Sequence, residues 1–310
     1  MGLLTPSQTQ SRLALFAPPY EDFLPIDLSW TPLTLPPRGL ALVWWLTDAE
    51  EQEEEFQWLY DRPHGLPLFV ILPPPHQIAR AIPLLGFLTA LEPKAILPAG
   101  RVAAPFRLRQ LLAAPPRHLA KEVTDYLVGR HLLRRDDVRR EVKRIFDLAP
   151  EVTSISKLAR RLSTSRRTLG RHFEAAGLPV PSHWLQFARL MYIAVRLQND
   201  PSAVFRIASH AGYPDGFTMS NQMKRLLDCR PTEIREALGW EWIVEAWIRQ
   251  ETLLGEIDHR RHHQAVHMYL PQPDAADPSE RQPDDAIAPG PGRGDERPDS
   301  TSRGGGAAAC

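Results

Sequence analysis

Short apolar runs and helix-like stretches alternate along the first third of the chain. Residues 13–17, 40–46, 66–72 and 95–97 read as strands, each bounded by proline, glycine or charge. Between them, residues 50–60, 76–91 and 106–113 carry helical patterns. Strands that are apolar along their whole length and alternate with helices predict an α/β domain over residues 12–117. Its expected core is a parallel sheet covered on both faces. Prolines such as Pro18, Pro19, Pro36, Pro37 and the run 73–75 mark strand ends and loops.

From residue 118 to 147 the chain turns charged and helix-permissive, with Arg134, Arg135, Arg139 and Arg140 among apolar positions, which predicts a basic connecting helix. Residues 148–240 then read as helical throughout, an all-α domain. Ile155, Leu158, Ala159 and Leu162 fall at i, i+3, i+4 and i+7, one face of a short helix. After a brief break, Ser165 is placed to cap a second helix over residues 166–173. Leu169 and Phe173 point inward there, and Arg166, Arg167, Thr168, Gly170 and Arg171 point outward. A short helix, a tight turn and a second helix with a basic outer face predict a helix-turn-helix.

The pattern then returns. Residues 204–213 form an apolar helix ending at a glycine turn. The next helix, starting at Asp215 or Gly216 and running to Leu227, buries Met219 and Met223. It presents Phe217, Ser220, Asn221, Lys224 and Arg225. A long apolar helix over residues 184–197 separates the two units. One rigid connector between two such units can set two recognition helices into successive major grooves, roughly 34 Å apart.

These residues resemble the AraC/XylS family of transcription regulators. Leu158-Ala159, Leu162, Ser165, Leu169, Phe173 and Gly177 look like its first unit. Ile207-Ala208, Gly212-Tyr213, Met223-Lys224, Pro231 and Arg235 look like its second, in the same order and spacing. Tyr213 stands for the usual phenylalanine, Met219 and Met223 for aromatic positions, and Asp228 for the commoner glycine. Gly170 and Gly216 occupy exposed places where relatives carry base-reading side chains. The resemblance implies that Arg167 and Arg171 read bases, since a guanidinium matches the two acceptors of guanine. It gives Phe217, Ser220 and Asn221 the same role on the second helix, and Arg166, Lys224 and Arg225 the phosphates. Thr168 completes the surface.

Charge agrees with this placement although the formal net charge is zero. Between Glu141 and Glu236 there are fifteen Lys/Arg against nine Asp/Glu, and from Pro271 onward four Arg against eight acids. A basic middle and an acidic end are expected when one part of a chain meets phosphate. Two distant cysteines, Cys229 and Cys310, make no disulfide framework, and Cys229 reads as a packed side chain. The first residues lack signal-peptide order and no run approaches a spanning helix, so a cytoplasmic, nucleoid-associated protein with no membrane partner is expected. A Trp-containing helical extension covers residues 241–269, and residues 270–310 have the composition of a disordered tail.

An α/β domain ahead of a DNA-binding domain suggests a receiver, with Asp48 as its phosphate acceptor. Strand one ends in Ala17-Pro18-Pro19 with no acidic pair, and residues 96–100 lack a lysine, so only a degenerate receiver-like domain is expected. His259, His262, His263 and His267 lie among Arg260 and Arg261 and read as a solvated basic helix end, not a metal site. Trp240, Trp242 and Trp247 read as core or interface. No enzymatic motif stands out, and no cofactor or metal is expected. Double-stranded DNA is the expected partner, with RNA polymerase and a second copy through the N-terminal domain as further ones. The competing functions are a non-specific architectural DNA binder and a response regulator phosphorylated at Asp48.

Overall fold

The computed structural model describes residues 12–26, 38–47, 53–100 and 103–270. Asp48, the start of the helix expected from residue 50, and the tail from Pro271 lie outside the described residues. Five strands, β1 (Leu13–Phe16), β2 (Phe23–Ile26), β3 (Ala41–Trp45), β4 (Leu68–Ile71) and β5 (Ala95–Leu97), form one sheet in the order β2-β1-β3-β4-β5. The parallel sheet expected from the sequence is corrected to a mixed one. β3, β4 and β5 are parallel, with Val43 opposite Phe69 and Val70 opposite Ile96. β1 runs antiparallel to both neighbours, with Leu15 opposite Leu24 on one side and Leu42 on the other. The physical reason is connection length. Residues 17–22 cannot hold the helical crossover that parallel neighbours need, whereas α1 (Glu53–Tyr60) and α2 (Ile78–Leu91) supply it for β3-β4 and β4-β5. A receiver-like sheet would run β1 parallel, so the arrangement departs from that expectation as well.

β3 and β4 are buried on both faces, which explains their unbroken apolar sequence. Leu42, Trp44, Leu68 and Val70 face Leu59 of α1 and Ala81, Leu84 and Leu88 of α2. Ala41, Val43, Phe69 and Ile71 face Leu108 and Leu112 of α3 (Pro105–Ala113), together with Leu238 from the helical region. β2 was not expected. Leu24 is exposed and Pro25 interrupts the strand, so it carries little apolar signal.

Ten further α-helices follow among the described residues. They are α4 (Leu119–Gly129), α5 (Asp136–Leu148), α6 (Ile155–Arg161), α7 (Arg166–Ala176), α8 (Pro181–Asn199), α9 (Val204–His210), α10 (Gly216–Leu227), α11 (Pro231–Glu236), α12 (Glu241–Leu253) and α13 (His263–Val266). The single connecting helix expected over residues 118–147 is corrected to two, α4 and α5, broken between Arg130 and Arg135. Val138, Val142, Ile145 and Phe146 recur at i, i+4, i+7 and i+8 on α5 and are buried, with the arginines outside. One apolar core runs from Leu119 to Tyr269. At its centre Trp247 of α12 stacks on Phe187 of α8 with centroids 4.2 Å apart, and meets Trp184 edge-on at 4.5 Å. Trp240, Trp242 and Trp247 therefore pack the interior and are not available to stack on bases.

The sheet region rests directly on the helical region. The Tyr20 hydroxyl donates to the Gly39 carbonyl and accepts from the Leu238 amide, both at 2.7 Å. Gly39 has φ +69, and a Cβ there would come within 2.6 Å of the Ala237 backbone, so only glycine allows this approach. Lys94 reaches Glu241 at 2.6 Å. No helix among the described residues is long and apolar enough to cross a membrane.

Candidate nucleic-acid interface

Two helix pairs flank α8. In the first, Ser154 caps α6 and Ser165 caps α7, its hydroxyl accepting from the Thr168 amide at 3.0 Å. α7 runs three residues past the expected end at Phe173, and Gly177, at φ +71, closes it in the left-handed conformation. Leu169 and Phe173 are buried, the latter against Trp184. His172 bonds Glu141 of α5 at 2.9 Å, which fixes the rotation of α7 about its axis. With that rotation set, Arg166, Arg167 and Arg171 are exposed. None of the three forms an ion pair or a side-chain hydrogen bond among the described residues. Gly170 lies among them, and a Cβ there would meet only open space. Thr168 is half-buried and its hydroxyl is engaged with that of Ser165 at 2.9 Å.

In the second pair, Asp215 caps α10 by accepting from the Thr218 amide at 2.6 Å. That hydrogen bond holds the Asp215 carboxyl below the usual carboxylate range. The turn before it is braced from α8. The Arg189 guanidinium lies 4.9 Å from the Tyr213 ring centroid and donates to the Ala211 carbonyl at 2.7 Å. Tyr213 in turn donates to Gln222 of α10 at 2.6 Å. Met219 and Met223 are fully buried, so the long apolar side chains fill the places expected of them. Phe217, Asn221, Lys224 and Arg225 are exposed, and Ser220 is half-buried. Arg225 donates to Gln186 of α8 at 2.6 Å, and Lys224 pairs with Asp228. Asp228 takes the left-handed conformation at φ 53, the geometry for which glycine is commoner at this position.

Two motif residues have structural work instead. Pro231 opens α11, and Arg235 donates to the Ser202 carbonyl at 2.7 Å, tying α11 to the segment after α8. Cys229 is buried, and burial pushes its thiol up to about 11, so it stays protonated and inert. His262 corrects the reading of a solvated histidine run. It is buried, with Nε2 against the Ala176 carbonyl at 2.9 Å, and burial lowers its pKa. Sequence reasoning missed Phe205 on α9, which is 63% exposed and stands against Gly216 at the start of α10. Its position off the Ile207-Ala208 face of the helix was the available signal.

A family model described as a helix-turn-helix domain matches residues 158–237, from within α6 to just past α11. The match supports an AraC-like DNA-binding domain over this stretch. With it comes a DNA-binding transcription regulator whose partner is DNA. No curated protein matches the chain.

Proposed function

We propose that the chain is a sequence-specific transcription regulator whose two helix pairs act as paired helix-turn-helix units. α7 and α10 enter successive major grooves, held apart by α8. Arg167 and Arg171 read bases from α7, and Phe217, Ser220 and Asn221 read from α10. Arg166, Lys224 and Arg225 meet phosphate. Thr168 sits at the first turn of α7, where its amide and hydroxyl are already used in the cap, and contributes position rather than readout.

The observation that carries this reading is the exposure of Arg166, Arg167 and Arg171 on α7 with no partner among the described residues. On neighbouring helices Arg161 and Arg225 are instead taken up by Glu151 and Gln186. Three adjacent guanidinium groups without one repel each other and gain most from an anionic partner. The test is selection of bound sites from random duplexes. A regulator enriches a motif with two half-sites about one helical turn apart. An architectural binder enriches none.

The reading extends to partners. α2 exposes Ile78, Ile82 and Leu85 one turn apart, an apolar face suited to a second copy of the chain. RNA polymerase is the remaining proposed partner, and no catalytic step or phosphoryl transfer is part of the proposal. Sedimentation of the full chain against Ile82→Lys tests the dimer.

A further inference from the structure

Two carboxylates on α12 are fully buried, and their surroundings differ. Glu245 accepts from Nε and Nη2 of Arg130 at 2.6 and 3.1 Å, from the Tyr126 hydroxyl at 2.7 Å, and from the Tyr269 hydroxyl. Every lone pair that burial strips of water has a protein donor in its place. Glu251 is as deeply buried but meets a single group, Nδ1 of His183, which lies 2.9 Å from Oε2. Its Oε1 is buried and has no hydrogen-bond partner among the described residues. A buried carboxylate with one oxygen uncompensated is costly, and such groups are normally paired or bound to a metal.

A second carboxylate stands close by. Glu256 follows α12 and is exposed. One ring nitrogen of His183 and one oxygen each of Glu251 and Glu256 lie within 4.8 Å of one another. Arg225 of α10 acts on His183 as a cation, and its Nη2 is committed to Gln186. From these observations we infer that His183, Glu251 and Glu256 form a binding site for a divalent transition cation of the zinc class. An imidazole nitrogen beside two carboxylate oxygens selects zinc, nickel, copper or iron over magnesium and calcium. Zinc bonds nitrogen and oxygen at about 2.0–2.2 Å, which sets tetrahedral ligand atoms roughly 3.3 Å apart. The His183–Glu251 pair already stands near that spacing, and Glu256, exposed beyond the helix end, closes the remainder. Three protein ligands on a half-open rim leave the fourth position to water.

His183 lies in the first turn of α8, the helix between the two helix pairs, and Glu251 lies in the last turn of α12. An ion there pins one end of α8 to the end of α12, one turn from the Gln186–Arg225 contact with α10. The site stands on its own donors, whatever sequence the helices read.

The test uses the full chain, stripped with chelator and titrated with zinc chloride by calorimetry, with the melting temperature followed in parallel. One equivalent should bind and raise the melting temperature, and magnesium at the same concentration should do neither. Glu256→Gln, at an exposed position, should melt like the metal-free wild type yet bind that equivalent at least tenfold more weakly. His183→Gln should lose it. Exposed imidazoles elsewhere, such as His263, give a built-in contrast. The same uptake and the same thermal shift in wild type, Glu256→Gln and His183→Gln would assign the metal to those residues and overturn the proposal, as would no uptake at all.

Discussion

The Arg38 guanidinium donates to the main-chain oxygen of Asp228 at 2.8 Å and stands 3.5 Å from its carboxylate, so the turn ahead of β3 touches the end of α10. From the other side Lys224 pairs with the same carboxylate, which these cations hold below the usual carboxylate range. One acidic residue thus sits between the sheet region and a lysine assigned to phosphate.

Asp228→Asn should therefore strengthen DNA binding several-fold. Asparagine tolerates the left-handed backbone at this position, so the turn survives, while the carboxylate that occupies Lys224 and repels phosphate is gone. The magnitude of the salt slope should rise by up to about one. Titrations of one duplex at several salt concentrations check both. An unchanged slope would mean that Lys224 does not meet phosphate.

Arg171→Ala and Lys224→Ala should differ in kind. The first should cost about 1–3 kcal/mol at a cognate site and relax preference at one base position. The second should weaken all duplexes alike. Competition between matched and scrambled sequences separates the two outcomes, and equal losses for Arg171→Ala would move that residue to the phosphate group.

Ser165→Ala removes the acceptor for the Thr168 amide at the start of α7. A cost of about 1 kcal/mol in denaturant unfolding is expected, and Ser165→Asp should restore it. The readout is the denaturation midpoint, and no change would mean the cap is replaced by water.

Burial of His262 lowers its pKa, so the folded chain prefers the neutral ring more than the unfolded chain does. The unfolded state then binds more protons as pH drops below the ordinary histidine value of about 6.5, and stability falls with it. Melting temperatures between pH 7.5 and 5 should decline more steeply for wild type than for His262→Gln. Parallel curves would show that this ring carries no linkage.

Breaking the Arg130–Glu245 pair should be severe. Glu245→Gln leaves a guanidinium buried with only neutral partners, and losses of about 3–5 kcal/mol are typical of such a step. Chemical denaturation measures it. A near-wild-type stability would mean that water reaches Arg130.

The α-helical half was legible because its signals are local. Ser165 and the apolar pairs Leu158-Ala159 and Ile207-Ala208 announce caps and inward faces within single turns. The exposed arginines of α7 follow from the same periodicity, and so does the α8 spacer. What the sequence hid was long-range. The antiparallel course of β1 depends on pairing partners that no local pattern specifies, and β2 has too few apolar residues to stand out. α4 and α5 read as one charged stretch because the break between them, residues 130–135, is filled by arginine, histidine and leucine with no proline to mark it. Glu245 and Glu251 look like solvated acids on α12, and only tertiary packing reveals that both are buried.

The central claim is that α7 and α10 read sequence together. The most direct measurement is equilibrium binding of the full chain to its selected duplex and to the same duplex with five base pairs inserted between the half-sites. Insertion should lower affinity by two or more orders of magnitude, since half a turn puts the two helices on opposite faces of the DNA. Equal affinity for both duplexes, or for selected and scrambled DNA at physiological salt, would contradict it.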